Sequence, residues 1–198
     1  MRSAQTAFVK VGARGSAAEA SALLTGLGAA EPTVARRAFL FTDIVSSTAL
    51  LEAIGDRAWQ QLVQWHDAAL RAEFAAHHGE EIDHAGDGFF VAFADTEHAF
   101  AAAVAIQRRL DTHRRDSGFA PSVRIGVHAS DAIVNDGAYR GRGVHVAARI
   151  ASAAAANEIL VSKECLHEDP PQTTTDHRSL QLKGLADPID VVSLRWDE

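Results

Sequence analysis

The order of the predicted elements indicates an α+β fold, in which an antiparallel central sheet is flanked by helices. A buried-strand pattern at 39–45 is followed by a long amphipathic helical pattern. A hairpin signal at 80–93 is followed by a second helix and another strand. Strand, helix, strand, strand, helix, strand is the split β-α-β arrangement, also called ferredoxin-like, and we expect the later elements to extend its sheet.

Apolar spacing defines the elements in the first half of the chain. The run FLFTDIV at 39–45 is apolar and β-branched, which is typical of a buried strand. Apolar residues then recur every three or four positions, which predicts one helix over 48–77. The Asp-Gly pair within AGDGFF predicts the turn of a hairpin over 80–93. An alanine-rich pattern predicts a second helix over 95–115.

The second half of the chain alternates short strands with one helix. SVRIGVHAS and AIVND predict two strands, and the glycine-rich loop YRGRG leads into a third helix over 144–155. EILVS predicts a further strand. The segments HRSLQLKG and PIDVVSLRW predict the last two strands of the sheet.

Composition and charge exclude several classes of protein. We divide the 198 residues into an Ala/Gly-rich extension over 1–36 and one domain over 37–198. The net charge of −7 argues against a nucleic-acid partner, because binding a phosphate backbone requires a basic face. The only cysteine in the sequence, Cys165, cannot form an internal disulfide, so the fold does not require an oxidising compartment. No run approaches the ~20 apolar residues of a membrane span, so we expect a cytoplasmic protein without membrane contact.

Two aspartates are the candidate metal ligands. Asp43 lies within an apolar strand, where an uncompensated charge costs several kcal/mol, so a bound metal is expected to satisfy it. Asp87 lies in the Gly-Asp-Gly turn and, taken alone, is an ordinary turn residue. If the first strand lies beside the hairpin, both carboxylates converge at one sheet edge. Two carboxylates, a backbone carbonyl and phosphate oxygens are a usual Mg²⁺ environment, and two ions can share such a pair.

The residues that connect the first strand to the first helix are candidate phosphate ligands. Val45, Ser46, Ser47 and Thr48 come directly after the strand. Free backbone N–H groups at a helix N-terminus bind anions, which favours phosphate next to the metal pair. The alternative is that Ser-Ser-Thr is a plain N-cap.

The segment GRGVHVAARI contributes a second group of polar residues. Its glycines allow a tight entry into a helix, and His145 and Arg149 lie four residues apart on one helix face. The planar, permanently charged guanidinium of Arg149 suits phosphate oxygens. A surface arginine and a packed or capping histidine are the ordinary alternatives.

Taken together and in this order, the motifs resemble the catalytic domain of the class III nucleotidyl cyclases, the adenylate and guanylate cyclases. The resemblance rests on FLFTDIVSST, AGDGFF, VRIGVH and GRGVHVAARI, and it runs from about Ala38 to LKGLADPIDVVSL. It implies a palm-like fold and a head-to-tail homodimer with active sites between the chains. The implied reaction converts a nucleoside triphosphate to a 3′,5′-cyclic nucleotide and pyrophosphate.

The same resemblance implies roles for individual residues. Asp43 and Asp87 would bind two Mg²⁺ or Mn²⁺ ions, assisted by the carbonyl of Ile44. The backbone from Val45 to Thr48 would hold the triphosphate, and Lys183 of the LKG segment would contact its terminal phosphates.

Two further roles concern the third helix. Arg149, contributed by the opposite chain, would stabilise negative charge at the α-phosphate in the transition state. His145 stands where the family has a ribose-orienting asparagine. Because histidine still donates one hydrogen bond, we expect weaker orientation of the ribose and not a complete loss of the reaction.

Base recognition departs from the family pattern. Asp83 replaces the lysine that contacts adenine, and Ala138 replaces the polar partner of that lysine. Ser46 replaces a glycine beside the phosphates. An ionised Asp83 accepts hydrogen bonds from guanine or cytosine, which favours GTP or a pyrimidine triphosphate, as in the anti-phage pyrimidine cyclases. Two alternatives are that the adjacent His84 enters the cleft instead and that the choice of base is relaxed. The alternative is a nucleotide-binding or dimerisation module with negligible turnover. A diguanylate cyclase is disfavoured, because AGDGFF is not the GGDEF or GGEEF signature.

Overall fold

The structure is a computed structural model that describes residues 33–135, 137–166 and 173–197. The extension predicted over 1–36 lies almost entirely outside these residues, and so the division of the chain into two parts remains a prediction. Within the described ranges, no helix is long and apolar enough to cross a membrane.

The described residues form eight strands and four α-helices. The helices are α1 (Ser47–Ile54), α2 (Asp56–Ala76), α3 (Thr96–Ser117) and α4 (Arg142–Ala153), and a single 3-10 turn covers Lys163–Cys165. The strands are β1 (Thr33–Ile44), β2 (Glu80–Ala85), β3 (Gly88–Phe93), β4 (Val123–Asn135), β5 (Ala138–Arg140), β6 (Ile159–Ser162), β7 (Thr174–Leu180) and β8 (Ile189–Leu194).

All eight strands belong to one sheet. Its order is β2-β3-β1-β4-β6-β8-β7, and β5 pairs with the end of β4. β3 is antiparallel to both β1 and β2, whereas β4 and β6 are parallel. The predicted α+β class, with a mostly antiparallel central sheet flanked by helices, is therefore confirmed.

Alternate residues of β1 pack on opposite faces of the sheet. On one face, Leu40 joins a core with residues of α2 and α3, among them Phe74 and Ile106. On the other face, Phe39 packs with Tyr139 of β5 and Ala147 of α4. Both faces of the central strands are thus covered, and α4 lies on the same side as Phe39.

The single helix predicted over 48–77 is wrong, because the chain forms two helices, α1 and α2. They are separated by Gly55, whose φ of 78° and ψ of 162° are incompatible with a continuous helix. Glycine adopts a positive φ without steric cost, so it serves as the hinge between two helical directions. The apolar spacing continues across this break, which is why the pattern alone predicted one helix.

The two strands predicted from SVRIGVHAS and AIVND are in fact the single strand β4. Its second half alternates strictly, with Asp131 and Ile133 exposed and Ala132 buried, so the aspartate is an outward position of a continuous strand. The predicted glycine-rich loop also begins later than expected, since Tyr139 and Arg140 pair with Val134 and Ile133 of β4.

Candidate active site

The two candidate metal ligands lie at the same end of two neighbouring strands, which we call the sheet edge. β1 pairs with β3 so that Phe41 lies opposite Phe90. The Phe89 N–H also donates to Thr42 Oγ1 at 3.2 Å, which continues the contact toward the end of β1. Asp43 is the penultimate residue of β1, and Asp87 comes immediately before β3. The predicted proximity of the first strand and the hairpin is therefore present in the fold.

A cleft of about 320 Å³ opens beside Asp43. The carboxylates of Asp43 and Asp83 are the charged groups in its lining, which also includes two stacked phenylalanines and part of α4: Phe41, Phe90, Ala148, Ala151 and Ser152. The ring centroids of the two phenylalanines are 4.5 Å apart. One wall of the cleft is thus acidic and aromatic, and the other is formed by small residues of α4.

Arg124, a residue that the sequence analysis did not single out, compensates the charge of Asp43. Its Nε donates to Asp43 Oδ2 at 2.9 Å, its Nη2 contacts the same oxygen, and its Nη1 donates to Ser152 O at 3.0 Å. The Asp43 side chain is 36% exposed. The carboxylate is therefore not deeply buried, and an arginine pairs with it, whereas metal binding by Asp43 remains a prediction.

Asp87 is oriented differently from Asp43. The residue is half-buried, and its Oδ2 is enclosed without a hydrogen-bond partner among the described residues. Asp87 does not line the cleft that contains Asp43. The fold brings the two residues to one edge, and their convergence on a shared ligand remains a prediction.

The donor chemistry at this edge fits a hard divalent cation. Two carboxylates and the backbone carbonyl that follows Asp43 are oxygen donors, and Mg²⁺ typically takes one or two protein carboxylates together with substrate phosphates. Within the described ranges, no three histidine, cysteine or acidic side chains are grouped closely enough to hold a metal on their own. The site therefore suits an ion that arrives with a phosphate ligand better than a resident structural metal.

The start of α1 has the geometry of an anion site, with one correction. No side chain caps the helix, so the plain N-cap alternative for Ser46 is not what the fold shows. Ser46 is left-handed, with φ 57° and ψ 37°, a conformation that favours the glycine usual in the family. The Val45 N–H is not free, because it donates to Ser122 O at 2.8 Å. The N–H groups that follow it, at Ser47 and Thr48, begin the uncapped helix.

His145 and Arg149 lie together on the exposed side of α4. The helical spacing predicted for them is confirmed, and the opposite side of the helix is buried through Val146 and Ile150. Neither polar side chain has an ion pair within the part of the chain that the structure describes. A free guanidinium on an exposed helix face is available to a group outside its own chain.

Lys183 lies at the other edge of the sheet from Asp43. It follows the end of β7, where Leu180 pairs with Ile189 of β8. At the far end of β8, Leu194 pairs with Ile159 of β6, and β6 runs parallel to β4. β4 starts beside Val45, and so beside Asp43. The strand directions therefore place Lys183 at the end of the strands opposite to the end that carries Asp43 within one chain.

The two candidate base-reading residues flank one region of the sheet. Asp83 lies on β2, and its Oδ1 accepts a hydrogen bond from the His84 N–H at 2.9 Å. Ala138 starts β5, and its neighbour Tyr139 donates from its hydroxyl to Glu80, at the start of β2, at 2.9 Å. The short β5 strand is thus tied to the strand that carries Asp83.

Comparison with known proteins agrees with this architecture. Residues 31–189 match the family model described as the adenylate and guanylate cyclase catalytic domain. The chain belongs to this family, the class III nucleotidyl cyclases. Among curated relatives, a putative adenylate cyclase 3 of Rhizobium meliloti is 30% identical over 82% of this chain and 29% of its own length. An uncharacterised protein of Mycobacterium tuberculosis is 30% identical over 75% of this chain and 38% of its own length.

This chain spans less than two fifths of the length of these curated relatives. Its fold is shared with solved structures of lower identity. The adenylyl cyclase CyaB from P. aeruginosa superposes with a TM-score of 0.76 at 22% identity, over 84% of this chain and 96% of that one. The guanylyl cyclase Cya2 also gives 0.76, at 18% identity, over 83% and 94% of the two chains.

Proposed function

We propose that this cyclase domain converts a nucleoside triphosphate to a 3′,5′-cyclic nucleotide and pyrophosphate at a site shared between two copies of the chain. The observation that carries the proposal is the placement of Asp43 and Asp87 at one sheet edge, beside the uncapped start of α1. The complementary cations lie elsewhere in the same chain. Lys183 is at the opposite edge, and Arg149 faces outward from α4.

Two chains arranged head to tail complete the site. One chain supplies the metal-binding carboxylates and the backbone N–H groups of Ser47 and Thr48 for the triphosphate. Its partner supplies Arg149 for charge at the α-phosphate and Lys183 for the terminal phosphates. Such fixed charges act on the transition state without reorganising, which is often the largest catalytic contribution.

Asp43, Asp87 and the carbonyl of Ile44 hold the divalent ions in this proposal. Bound Mg²⁺ or Mn²⁺, expected as a pair, supplies activation of the attacking oxygen and neutralisation of phosphate charge. The remaining task of the protein is positioning, and His145 orients the ribose through one hydrogen bond so that its 3′-oxygen faces the α-phosphorus. Arg124, already paired with Asp43, keeps the carboxylate compensated before the substrate binds.

The base is proposed to be guanine or a pyrimidine. Asp83 lines the cleft as an acceptor, and Ala138 offers no polar side-chain atom. An ionised carboxylate accepts from the N1–H and 2-amino groups of guanine or from the 4-amino group of cytosine, but it has no proton for adenine N1.

The test is an assay of the purified protein with Mn²⁺ and each of the four nucleoside triphosphates, with the products identified by mass spectrometry. We expect a cyclic nucleotide with GTP or a pyrimidine triphosphate, and no product from Asp43→Ala. Nucleotide binding without pyrophosphate release from any of the four substrates would refute the enzyme and support a binding or dimerisation module. The left-handed Ser46 and the residues at positions 83, 138 and 145 favour that second candidate.

A further inference from the structure

A buried network of polar side chains lies behind Asp87, outside the cleft. His66 of α2 is 0% exposed, and its Nδ1 is 3.1 Å from Asp67 Oδ1. The other oxygen of Asp67 lies 3.1 Å from His84 Nε2, without the alignment of a hydrogen bond, and 3.6 Å from Arg71 Nη1. Asp67 is therefore held from three sides and fixes the orientation of the His66 ring.

Aromatic contacts attach this network to the strand that follows Asp87. The His84 ring stacks on Phe89 at 4.3 Å between centroids, and the His66 ring is 6.1 Å from the same phenylalanine. The Arg71 guanidinium lies 4.9 Å from the Phe89 centroid. In the hairpin, His84 pairs with Phe89 and Ala85 pairs with Gly88, so the turn that carries Asp87 is enclosed between them.

Three buried polar atoms at this place have no hydrogen-bond partner among the described residues. They are His84 Nε2, which lies 3.1 Å from Asp67 Oδ2, His66 Nε2, on the ring edge opposite Asp67, and Asp87 Oδ2. Buried polar atoms are nearly always hydrogen-bonded, directly or through ordered water. Burial lowers the pKa of His66 below its ordinary value, and the negative charges of Asp67 and Asp87 oppose that shift. Asp87 is therefore near enough to the His66 imidazole to act on it electrostatically.

We propose that His66 is a positioning residue for Asp87: its Nε2 edge holds Asp87 Oδ2 through one water, so that the other carboxylate oxygen is presented to the cation. The inference rests on the proposed function, because it assumes that Asp87 is a metal ligand. Carboxylates that bind metals are themselves usually hydrogen-bonded, and loss of such a partner typically weakens metal binding about 10–100-fold.

The orientation also explains why Asp87 is absent from the lining of the cleft. With Oδ2 turned toward α2, the carboxylate spans from the buried network to the sheet edge. Asp43, by contrast, is paired with Arg124 at the cleft. The two metal ligands are therefore supported by different groups, one by a surface cation and the other by a buried histidine.

Two substitutions of the same histidine separate positioning from packing. His66→Gln keeps an amide nitrogen or oxygen near the Nε2 position, whereas His66→Asn keeps one only near Nδ1, next to Asp67. Both variants introduce a buried amide and both lose volume. We would titrate Mn²⁺ alone, followed by electron paramagnetic resonance, and record thermal unfolding to verify the fold. His177→Gln, an exposed histidine on β7, is the matched control.

We expect His66→Asn to weaken Mn²⁺ binding about 10-fold or more, and His66→Gln to stay within about 3-fold of the unmodified protein. Equal affinities in all four proteins, or equal losses in both His66 variants, overturn the positioning role. If one variant fails to fold, the Mn²⁺ dependence of turnover is measured for the other. Loss of positioning raises the Mn²⁺ concentration for half-maximal turnover and leaves the KM for the nucleotide unchanged. If the unmodified protein does not bind Mn²⁺ alone, the titration of all four proteins is repeated with inorganic triphosphate present, and absence of binding there refutes the proposed function and the inference with it.

Discussion

At the level of single residues, the charge of Asp43 is the feature that the fold handles most directly. A carboxylate that closes an apolar strand is tolerated because the strand end is half-exposed and Arg124 from β4 pairs with it. The same arginine is tied to the end of α4 through Ser152. It therefore links the candidate metal ligand to the helix that carries Arg149.

The strength of this ion pair is testable by a double-mutant cycle. Combining Arg124→Gln with Asp43→Asn, we expect a coupling free energy of about 1 kcal/mol in urea unfolding. The value is modest because the Asp43 side chain is partly solvated, although two donors reach one oxygen. Arg109→Gln, which removes the helix-surface partner of Glu73, serves as a control that leaves Asp43 untouched. A coupling indistinguishable from zero would show that the pair is not formed in solution.

Single residues also show where sequence reasoning reached its limit. Ser46 was singled out because it replaces a glycine, and its left-handed backbone is the conformation that such a glycine would adopt. Arg124 was not singled out, although VRIGVH places a charge in an apolar strand just as FLFTDIV does. Its partner becomes visible only when the sheet order brings β4 beside β1, 81 positions away in the chain.

At the level of elements, the close packing of α4 on β4 positions the helix face that carries His145 and Arg149. Gly126 of β4 makes this possible, because a Cβ there would lie 2.1 Å from Ala151 N and 2.4 Å from Ala151 Cα. The contact is with backbone, so it has no flexible group that can move aside. A glycine in the middle of a strand otherwise costs stability, and here it allows the close approach of a helix.

We expect Gly126→Ala to lower the free energy of unfolding by about 3 kcal/mol or more, because α4 must shift to accept the methyl group. Turnover should fall with it, since Arg149 moves with the helix. The comparison is Gly118→Ala at the end of α3, where φ is 81° but nothing lies within 4 Å, so that only about 1 kcal/mol of backbone strain is added. Chemical denaturation of both variants measures the difference. Equal losses would mean that the close approach does not constrain α4.

A second element-level feature is the carboxylate that joins three chain segments after α4. Glu158 accepts from the Ala155 N–H at 2.6 Å, from Arg178 of β7 at 2.6 Å and from the Ser193 hydroxyl of β8. Burial alone would raise the pKa of Glu158, but these donors outweigh it and hold the pKa below its ordinary value. The edge strand β7 and its neighbour β8 are thus connected to the loop that leads into β6.

This depressed pKa predicts a specific dependence of stability on pH. The stabilisation by Glu158 is present above the unfolded-state pKa and is lost as the pH falls through the lower folded-state pKa. We expect Glu158→Gln to be about 1–2 kcal/mol less stable at pH 7 and to lose less additional stability on acidification. Thermal or urea unfolding between pH 7 and pH 3 provides the measurement. Parallel stability curves for the two proteins would contradict the assigned hydrogen bonds.

The elements themselves were predictable to different degrees. The first strand, the hairpin and the helix predicted over 95–115 follow from local signals, namely apolar runs, a Gly-Asp-Gly turn and an alanine-rich pattern. The break at Gly55 and the continuity of β4 were missed. At Gly55 the apolar periodicity continues through a residue whose backbone conformation breaks the helix. In β4 the strand continues through Asp131, whose outward position is set by the surrounding packing.

At the level of the whole molecule, the candidate residues fall into two groups, carboxylates and cations, and no ion pair joins the two groups within the described residues. Asp43 and Asp87 share one sheet edge, whereas Arg149 faces outward from α4 and Lys183 lies at the opposite edge. Sequence patterns and family resemblance suggested each residue, but this separation depends on sheet order and strand direction. A site shared between two chains accounts for this separation, because a head-to-tail partner presents its Arg149 and Lys183 to Asp43 and Asp87 of the first chain.

The most direct test of this account is complementation between two inactive variants. Asp87→Ala and Arg149→Ala should each abolish turnover in the presence of Mn²⁺, and mixing them should restore about one quarter of the unmodified activity. This fraction is expected because half of randomly exchanged dimers are heterodimers, and each heterodimer has one intact site out of two. Mixing Asp87→Ala with Asp43→Ala is the control and should restore nothing, since both substitutions affect the same group. Activity that stays absent after Asp87→Ala and Arg149→Ala are mixed, while the unmodified protein turns over, would contradict a site shared between chains.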